Sequence, residues 1–272
     1  MMDSDANLEF IVEKEQAVHW GTMLLPTAPC FTQSLLEQLS SFFADSTDAS
    51  GATFKVLRSG KANVFNLGGD LAQFITLIEQ QDESALRVYA HQCIDVVYKM
   101  LHGAEHNTTS IALVQGSAFG GGMECALAAD VVIAEAHAEF SLPEVNFNLY
   151  PGMGAFSILH RQVPQRTLYD MVISGKRYTA AQLHALGVID LVVERGAGEQ
   201  AVKNWIKRAQ TKSQAHAALQ QYKLMQNPIA SGELTEVVNK WVSAAFDLTV
   251  RDLGIMKRLV RAQQHAYYSG AT

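Results

Sequence analysis

The chain has 272 residues, 48% of them hydrophobic, and a net charge of −6 from 21 basic and 27 acidic side chains. This hydrophobic content is ample for a large core and argues against a disordered chain, and the lack of a basic cluster interleaved with aromatic residues argues against a nucleic-acid partner. Cys30, Cys93 and Cys125 are too widely spaced for a zinc site or a disulfide framework, and no run approaches the roughly 18 apolar residues of a membrane span. We therefore expect a cytoplasmic protein without a membrane span.

Strands and helices alternate along the first two thirds of the sequence. In chain order, the patterns predict strands over 8–12 and 17–25 joined as a hairpin, a helix over 31–43, a polar loop over 44–51, a strand over 54–58, a helical stretch from 71 to about 102 interrupted at 81–84, a strand over 111–114, a helix from Gly120, strands over 131–134 and 139–142, and a helix that begins at Pro151. Alternation of this kind is typical of an α/β core.

From about residue 196 onward the sequence turns helical and has no convincing strand. Apolar positions recur at helical spacing over 201–209, 215–225, 234–248 and 253–266. Each of these helices has an apolar face to bury against the core or a neighbouring subunit. We therefore predict a core with the active site over 1–196 and a helical region over 197–272 that covers the pocket and contributes to oligomerisation.

Two glycine clusters stand where backbone N–H groups can face a ligand. Gly68-Gly69 lies between a strand-like run and a helix, and Gly120-Gly121-Gly122 follows strand 111–114 and opens a helix. Glycine lets the backbone approach a ligand closely, and a helix N-terminus favours negative charge. Taken singly, each cluster is more typical of a tight turn that binds nothing. The prediction that they bind a ligand depends on their combination with two carboxylates.

Those carboxylates are Glu124 and Glu144, each flanked by apolar residues. An unpaired carboxylate is costly to bury, so we expect a pKa raised toward neutrality, where each can exchange protons. Capping or pairing within its helix is the alternative for Glu124. No histidine lies at metal-ligand spacing from either, so no metal site is expected, and no Gly-x-Ser-x-Gly nucleophile motif occurs. Two amide donors and two such carboxylates fit acid–base chemistry on an acyl thioester.

Together these motifs resemble the crotonase (enoyl-CoA hydratase/isomerase) superfamily over about residues 8–195. The segments that carry the resemblance are Phe65–Asp70, Gln115–Glu124, Leu142–Glu144 and Pro151–Gly154. The resemblance implies an α/β fold built as a spiral of ββα units with a C-terminal trimerisation region, and a homotrimer or a dimer of trimers. It also implies that Gly69 and Gly121 supply the oxyanion N–H groups and that Glu124 and Glu144 are catalytic.

The sequence departs from ordinary hydratases at two of these places. Pro151-Gly-Met-Gly-Ala-Phe156 replaces the common Pro-Gly-x-Gly-Gly-Thr, and Pro29–Leu35 replaces the usual Asn-Ala-Leu. These variants resemble the diffusible signal factor synthases of the RpfF type, as do segments 64–71, 111–116, 148–155 and 258–263. That resemblance implies a synthase that dehydrates a 3-hydroxyacyl chain on acyl carrier protein to a cis-2-enoyl thioester, then hydrolyses it to release a fatty-acid quorum-sensing signal. A sensor kinase is a further partner it implies.

By analogy, Glu144 removes the α-proton and Glu124 protonates the departing hydroxyl, although the two roles can be exchanged. Hydrolysis needs only a glutamate to deprotonate water, so neither a cofactor nor a covalent nucleophile is expected. The residues predicted to bind the substrate are Leu67, Phe119, Gly120, Met123, Phe147, Gly152, Met153, Trp241 and Leu259. Ordinary core packing is the alternative for the apolar side chains among them.

Two other functions stay open at this stage. One is a generic enoyl-CoA hydratase or acyl-CoA thioesterase that uses the same site. The other is a non-catalytic acyl-binding or regulatory protein, against which the presence of both glutamates argues. Basic residues at the pocket mouth can meet either the phosphates of coenzyme A or the acidic surface of a carrier protein, and the sequence does not place Arg58, Lys61, Lys257 or Arg258 there. Acyl chain length, branching and double-bond geometry depend on the depth of the pocket, which the sequence does not give.

Overall fold

Ten strands and eleven helices make up the part of the chain that the computed structural model describes, residues 7–26, 28–44 and 54–269. The strands are β1 Leu8–Glu13, β2 Val18–Met23, β3 Phe54–Ser59, β4 Asn63–Asn66, β5 Thr109–Val114, β6 Gly116–Phe119, β7 Val131–Glu135, β8 Glu139–Ser141, β9 Tyr178–Thr179 and β10 Leu191–Val193. The helices are α1 Gln33–Ala44, α2 Leu71–Glu79, α3 Glu83–Leu101, α4 Gly121–Leu127, α5 Ala155–Leu159, α6 Gln165–Ser174, α7 Ala180–Ala185, α8 Gly198–Gln210, α9 Ser213–Gln226, α10 Ser231–Phe246 and α11 Val250–Ser269.

The strands form two sheets with mainly parallel pairing. The larger sheet has the order β1-β2-β3-β5-β7-β10, in which only the β1–β2 hairpin is antiparallel. The smaller sheet has the order β4-β6-β8-β9, with β9 antiparallel to β8. All six residues of β5 are buried, as expected for a parallel strand covered on both faces. The predicted α/β class is confirmed.

The chain passes from the larger sheet to the smaller one between β5 and β6, which only Gln115 separates. At this crossing β6 pairs with β4, and a β-carbon on Gly116 would lie 2.0 Å from the backbone of Asn63. Only glycine allows so close an approach. The crossing places the next segment, the glycines that open α4, beside the loop that follows β4.

Apolar side chains cover both faces of the larger sheet. The main core lies between the sheets and the helices, and it contains the fully buried rings of Phe31, Phe65 and Phe140. A second apolar cluster on the opposite face of the larger sheet contains Val202 and Ile206 of α8. Helix α8 therefore packs on the sheet, although the sequence pattern assigns it to the C-terminal helical region.

Most of the predicted elements are confirmed, but several boundaries differ. The helix predicted to open at Pro151 begins instead at Ala155, because Gly154 has a φ of +116° and the residues before it form a loop. Strand β4 is the strand expected before Gly68-Gly69, whereas the sequence patterns do not predict strands β6, β9 and β10 or helices α6 and α7. The polar loop predicted over 44–51 lies, apart from Ala44, outside the described residues.

The last two helices pack on other helices and on one turn of the chain. Helix α10 packs on α3, and α11 packs on α2 and on the 3₁₀ turn Pro143–Phe147 that follows β8. No strand occurs within 198–269, as predicted. None of the helices in the described ranges combines the length and apolar character that a membrane crossing needs.

Candidate active site

Gly69 and Gly121 bring two uncommitted backbone N–H groups to one place. Gly69 follows β4 and Gly121 is the first residue of α4, where an N–H has no acceptor within the helix. The two segments touch: a β-carbon on Gly68 would lie 2.8 Å from the nitrogen of Gly121, and one on Gly121 would lie 3.6 Å from the nitrogen of Gly69. Among the described residues, no group accepts a hydrogen bond from either N–H. The pair is arranged to receive one carbonyl oxygen.

Glu124 lies one turn inside α4 and is 1% exposed. Its Oε1 accepts hydrogen bonds from the backbone N–H groups of Met153 at 2.8 Å and Ala155 at 2.9 Å. Burial raises the pKa of Glu124 to about 7, and these backbone hydrogen bonds oppose the rise. Because these N–H groups donate to the Glu124 carboxylate, the loop that precedes α5 is not helical.

Glu144 lies in the 3₁₀ turn after β8, and its carboxyl group is held less firmly. Its Oε2 is buried and has no hydrogen-bond partner among the described residues. Burial, followed by the nearby charge of Glu124, raises the pKa of Glu144 well above its ordinary value. The two carboxyl groups interact and so titrate as a pair. The expectation of raised pKa values for both is confirmed.

Both carboxylates and both amides line one cavity of about 1040 Å³. Its polar lining residues include Lys61, Asn63, Ser117, Asn146 and Arg177, and its apolar lining residues include Leu71, Phe74, Ala90, Cys93, Val238 and Trp241. A volume at the upper end of the usual range for ligand pockets accommodates a flexible chain with its carrier arm.

Eight of the nine residues predicted to bind the substrate line this cavity: Leu67, Phe119, Gly120, Phe147, Gly152, Met153, Trp241 and Leu259. Met123 does not, and the prediction of a wall position for it is wrong. Its side chain is fully buried in the core, because successive residues of a helix point about 100° apart and Glu124 is the one that faces the cavity.

The sequence did not identify the part of the wall that α2 and α3 supply. Phe74, Tyr89, Ala90 and Cys93 line the cavity, and the last three are at helical spacing on one stripe of α3. The same spacing is expected of any core-facing stripe. Their proximity to the glutamates follows only from the tertiary arrangement.

Of the four basic residues considered from the sequence, Lys61 alone is among the residues that line the cavity, and Arg177 is a lining residue that the sequence did not suggest. The guanidinium of Arg177 lies 5.1 Å from the ring of Phe119. Arg58 is instead paired with Glu199, and Lys257 with Glu79. Within the described ranges, no group of three or more His, Cys, Asp or Glu side chains is positioned to hold a metal ion.

The site therefore combines two amide donors with two carboxyl groups whose pKa values are both raised by burial. A carbonyl bound by the amides becomes more acidic at its α-carbon, and the carboxyl groups can transfer protons at the α- and β-positions. This is the chemistry of adding water to, or removing it from, an acyl thioester.

Comparison with known proteins agrees with this chemistry. The family model of enoyl-CoA hydratase/isomerase matches residues 13–243. The chain is 27% identical over 187 residues to a probable enoyl-CoA hydratase of Bacillus subtilis, covering 69% of this chain and 68% of that protein. It is 44% identical over 87 residues to a carnitinyl-CoA dehydratase of Salmonella arizonae, an alignment that spans only 33% of that protein's length. It spans 25% of the fatty acid oxidation complex subunit alpha of Pseudomonas paraeruginosa.

Solved structures share the fold over nearly the whole chain. An enoyl-CoA hydratase from Bacillus halodurans superposes with a TM-score of 0.80 and 21% identity, covering 94% of this chain and 100% of that one. Pseudomonas aeruginosa DspI superposes with a TM-score of 0.71 and 25% identity, covering 89% of this chain and 92% of that one. The chain thus belongs to the enoyl-CoA hydratase/isomerase family of the crotonase superfamily.

Proposed function

We propose that this protein interconverts a 3-hydroxyacyl thioester and a 2-enoyl thioester. The observation that carries the proposal is the pair Glu124 and Glu144, both with a raised pKa, in one cavity with the free N–H groups of Gly69 and Gly121. A carboxyl group in water is ionised at neutral pH and is a poor acid. A raised pKa lets one member of the pair hold a proton while the other accepts one.

In the dehydration direction, the thioester carbonyl accepts hydrogen bonds from Gly69 and Gly121. Glu144 takes the α-proton, and negative charge develops on the carbonyl oxygen. Glu124 then donates its proton to the β-hydroxyl, which leaves as water, and the double bond forms. In the hydration direction the same steps run in reverse. Two backbone hydrogen bonds fix the orientation of the Glu124 carboxyl group and favour its ionised form, so the acid and base roles of the two glutamates can also be exchanged.

The test uses crotonyl-pantetheine, which carries the arm shared by coenzyme A and acyl carrier protein. Glu124→Gln and Glu144→Gln are each expected to lower the rate of water addition at least about 100-fold, in the range general acid–base catalysis contributes. Glu135→Gln is the matched control, because Glu135 is equally buried but bonds to Gln115 and Gly198 and does not line the cavity. Wild-type rates in either cavity variant would refute the proposal.

A second candidate is the synthase reaction, in which dehydration on acyl carrier protein is followed by hydrolysis of the thioester. The observation that favours it is that three of the segments resembling diffusible signal factor synthases contribute to this cavity, through Leu67, Met153 and Leu259. The second step would use the same amides to hold the tetrahedral oxyanion and one glutamate to deprotonate water. Lys61 and Arg177, two basic residues that line the cavity, would face the acidic carrier protein.

The two candidates differ in their product. The experiment supplies 3-hydroxydecanoyl groups on acyl carrier protein and on coenzyme A in water enriched in ¹⁸O, and analyses the products by mass spectrometry. A free cis-2-enoic acid with ¹⁸O in its carboxyl group, formed from the carrier-protein substrate, supports the synthase. Products that remain thioesters support the hydratase alone. Binding without turnover of either substrate would favour a non-catalytic acyl-binding protein.

Both candidates place the reaction in the cytoplasm, where acyl carrier protein and coenzyme A thioesters occur. The trimer, or dimer of trimers, and the sensor-kinase partner implied by the resemblance stay predictions. Sedimentation velocity on the purified chain tests the oligomer, and co-purification with a candidate kinase tests the partner.

A further inference from the structure

The loop that carries Gly69 is held by one hydrogen bond before that residue and by another after it. Before it, the carbonyl of Gly68 accepts a hydrogen bond from the N–H of Phe31 at 2.8 Å. After it, the N–H of Asp70 donates to the hydroxyl of Tyr89 at 3.1 Å. The Gly69 N–H lies in the same peptide plane as the Gly68 carbonyl, and the bond from Asp70 holds the next plane, so together the two bonds limit rotation of the backbone about Gly69.

The Tyr89 hydroxyl is inserted between the two neighbouring segments. It accepts from Asp70 and donates to the carbonyl of Phe31, at the position where Phe31 and Gly69 form an isolated parallel bridge. One hydroxyl thus satisfies a donor of one segment and an acceptor of the other. Because both capacities are used, this hydroxyl has no proton left to give to a substrate.

The ring of Tyr89 is as firmly placed as its hydroxyl. Tyr89 is 2% exposed on α3, and its ring packs edge-on against Phe74 with centroids 5.2 Å apart. The ring of Phe74 in turn lies directly on Gly69, where a β-carbon would be 2.5 Å from it. The same side chain therefore fixes the Gly69 loop through a hydrogen bond and through an aromatic contact. Burial also raises the pKa of the Tyr89 phenol, which keeps it in the protonated, donating form.

We propose that Tyr89 is a positioning residue for the reaction: its hydroxyl aims the Gly69 N–H at the thioester carbonyl. The inference rests on the proposed role of Gly69 as an oxyanion donor. An amide donor acts on the transition state only when it points at the developing charge, so a small rotation of this loop weakens catalysis more than it weakens substrate binding.

The test is Tyr89→Phe, which removes the hydroxyl and keeps the ring. Tyr98→Phe is the matched control, because Tyr98 lies on the same helix, is half-buried and does not line the cavity. With crotonyl-pantetheine, Tyr89→Phe is expected to lower kcat about tenfold and to leave KM within about twofold, a smaller loss than the 100-fold or more expected when an oxyanion donor is removed outright. Tyr98→Phe should match the wild type.

A spectroscopic measurement separates positioning from a loss of stability. Hexanoyl-pantetheine labelled with ¹³C at its carbonyl is bound to each protein, and the carbonyl stretching band is recorded by infrared difference spectroscopy. We expect the band to shift to lower frequency in the wild type and in Tyr98→Phe, and to lose half or more of that shift in Tyr89→Phe. A merely structural role would lower the melting temperature without changing the shift. Difluorotyrosine at position 89, whose oxygen is a weaker acceptor, should give an intermediate shift.

The outcomes distinguish this inference from the proposed function. A full shift and an unchanged kcat in a folded Tyr89→Phe protein would overturn the role of Tyr89 and leave the two-amide site intact. A probe that binds to the wild type without any shift would overturn both.

Discussion

A β-carbon on Gly120 would lie 2.7 Å from Oε1 of Glu144, so the carboxylate occupies space that only glycine leaves free. Gly120 also has a φ of +52° and a ψ of −128°, a conformation that side chains rarely adopt. The glycine that ends β6 therefore admits the second glutamate to the cavity, in addition to opening the helix that carries the first.

Replacing Gly120 tests this relationship. Gly120→Ala should displace the Glu144 carboxylate and lower kcat at least about tenfold, with a strain of about 1–3 kcal/mol in the folded state. Gly187→Ala is the matched control, since Gly187 also has a positive φ, +77°, but its β-carbon would have no neighbour within 4 Å. Equal kcat values for the two variants would show that backbone strain alone, and not the position of Glu144, limits activity.

Stability should depend on pH through Glu124. Its pKa is about 7 in the folded protein and near the ordinary 4.5 when unfolded, so the folded state holds its proton more tightly. This contribution to the free energy of unfolding is fully present below pH 4.5 and is lost as the pH rises through 7, on the order of 3 kcal/mol in all. The free energy of unfolding, measured with urea at a series of pH values, should depend less steeply on pH in Glu124→Gln than in the wild type. Parallel curves for variant and wild type would contradict the prediction.

The pKa of Glu144 should fall when Glu124 loses its charge. Burial is the larger cause of its raised pKa and the charge of Glu124 the next, so Glu124→Gln should lower the pKa but leave it above that of a carboxyl group in water. Infrared difference titration of Glu124→Gln against the double variant Glu124→Gln, Glu144→Gln isolates the Glu144 band. An unchanged midpoint relative to the wild type would mean that the two carboxyl groups do not interact.

Trp241 should limit the size of the acyl chain. Its indole packs against Phe74, with ring centroids 5.3 Å apart, and lies 2.7 Å from where a β-carbon on Gly152 would be. Trp241→Ala should extend the cavity, shift kcat/KM toward longer chains, and cost about 3–5 kcal/mol of stability. Trp205→Ala is the control, because Trp205 packs on the far side of the larger sheet and should destabilise without altering chain preference. The same preference for acyl chain length in both variants would exclude Trp241 from the acyl pocket.

Arg161 should stabilise the contact between α10 and the segment that follows α5 through its hydrogen bonds. Its guanidinium donates to both carboxylate oxygens of Glu233 at 3.1 and 3.0 Å and to the carbonyls of Ser157 and Pro228. Arg161→Ala should cost about 2 kcal/mol, since it removes charge-assisted bonds. Lys240→Ala, which breaks an exposed pair on α10 with Glu236, should change the free energy of unfolding by less than about 0.5 kcal/mol. Chemical denaturation measures both, and equal losses would show that the Arg161 network adds nothing.

The residue pattern predicted the polar groups of the site more fully than its walls. Glycine before a helix and a carboxylate among apolar neighbours are local signals, so Gly121 and Glu124 could be located from the sequence. Phe74 and Tyr89 carry no such signal, because an aromatic residue that faces a cavity has the same spacing as one that faces a core. Their role depends on the approach of α2 and α3 to the glycine loops.

The unpredicted elements have similar physical causes. Strand β6 is short, begins with a glycine and follows β5 after one residue. The sequence pattern therefore indicates a single strand followed by a turn. Pro151 is a favoured first-turn residue, but Glu124 takes the N–H groups of Met153 and Ala155 as donors. A carboxylate thirty residues away in sequence therefore decides where α5 begins, which no local pattern can show.

The position of Trp241 on α10 also bears on how the protein is made. A nascent chain of about 200 residues already carries both carboxylates and both amides, but it lacks the helix against which Gly152 and Phe74 pack. Until α10 emerges from the ribosome and docks on α3, the cavity lacks the part of its wall that Val238 and Trp241 supply. Chains that fold in stages expose such surfaces. Helix α10 also contributes Leu234, Val238 and Trp241 to the main core. Thioester chemistry should therefore begin only with the docking of the late helices, and a chain truncated before residue 231 should be inactive and less stable.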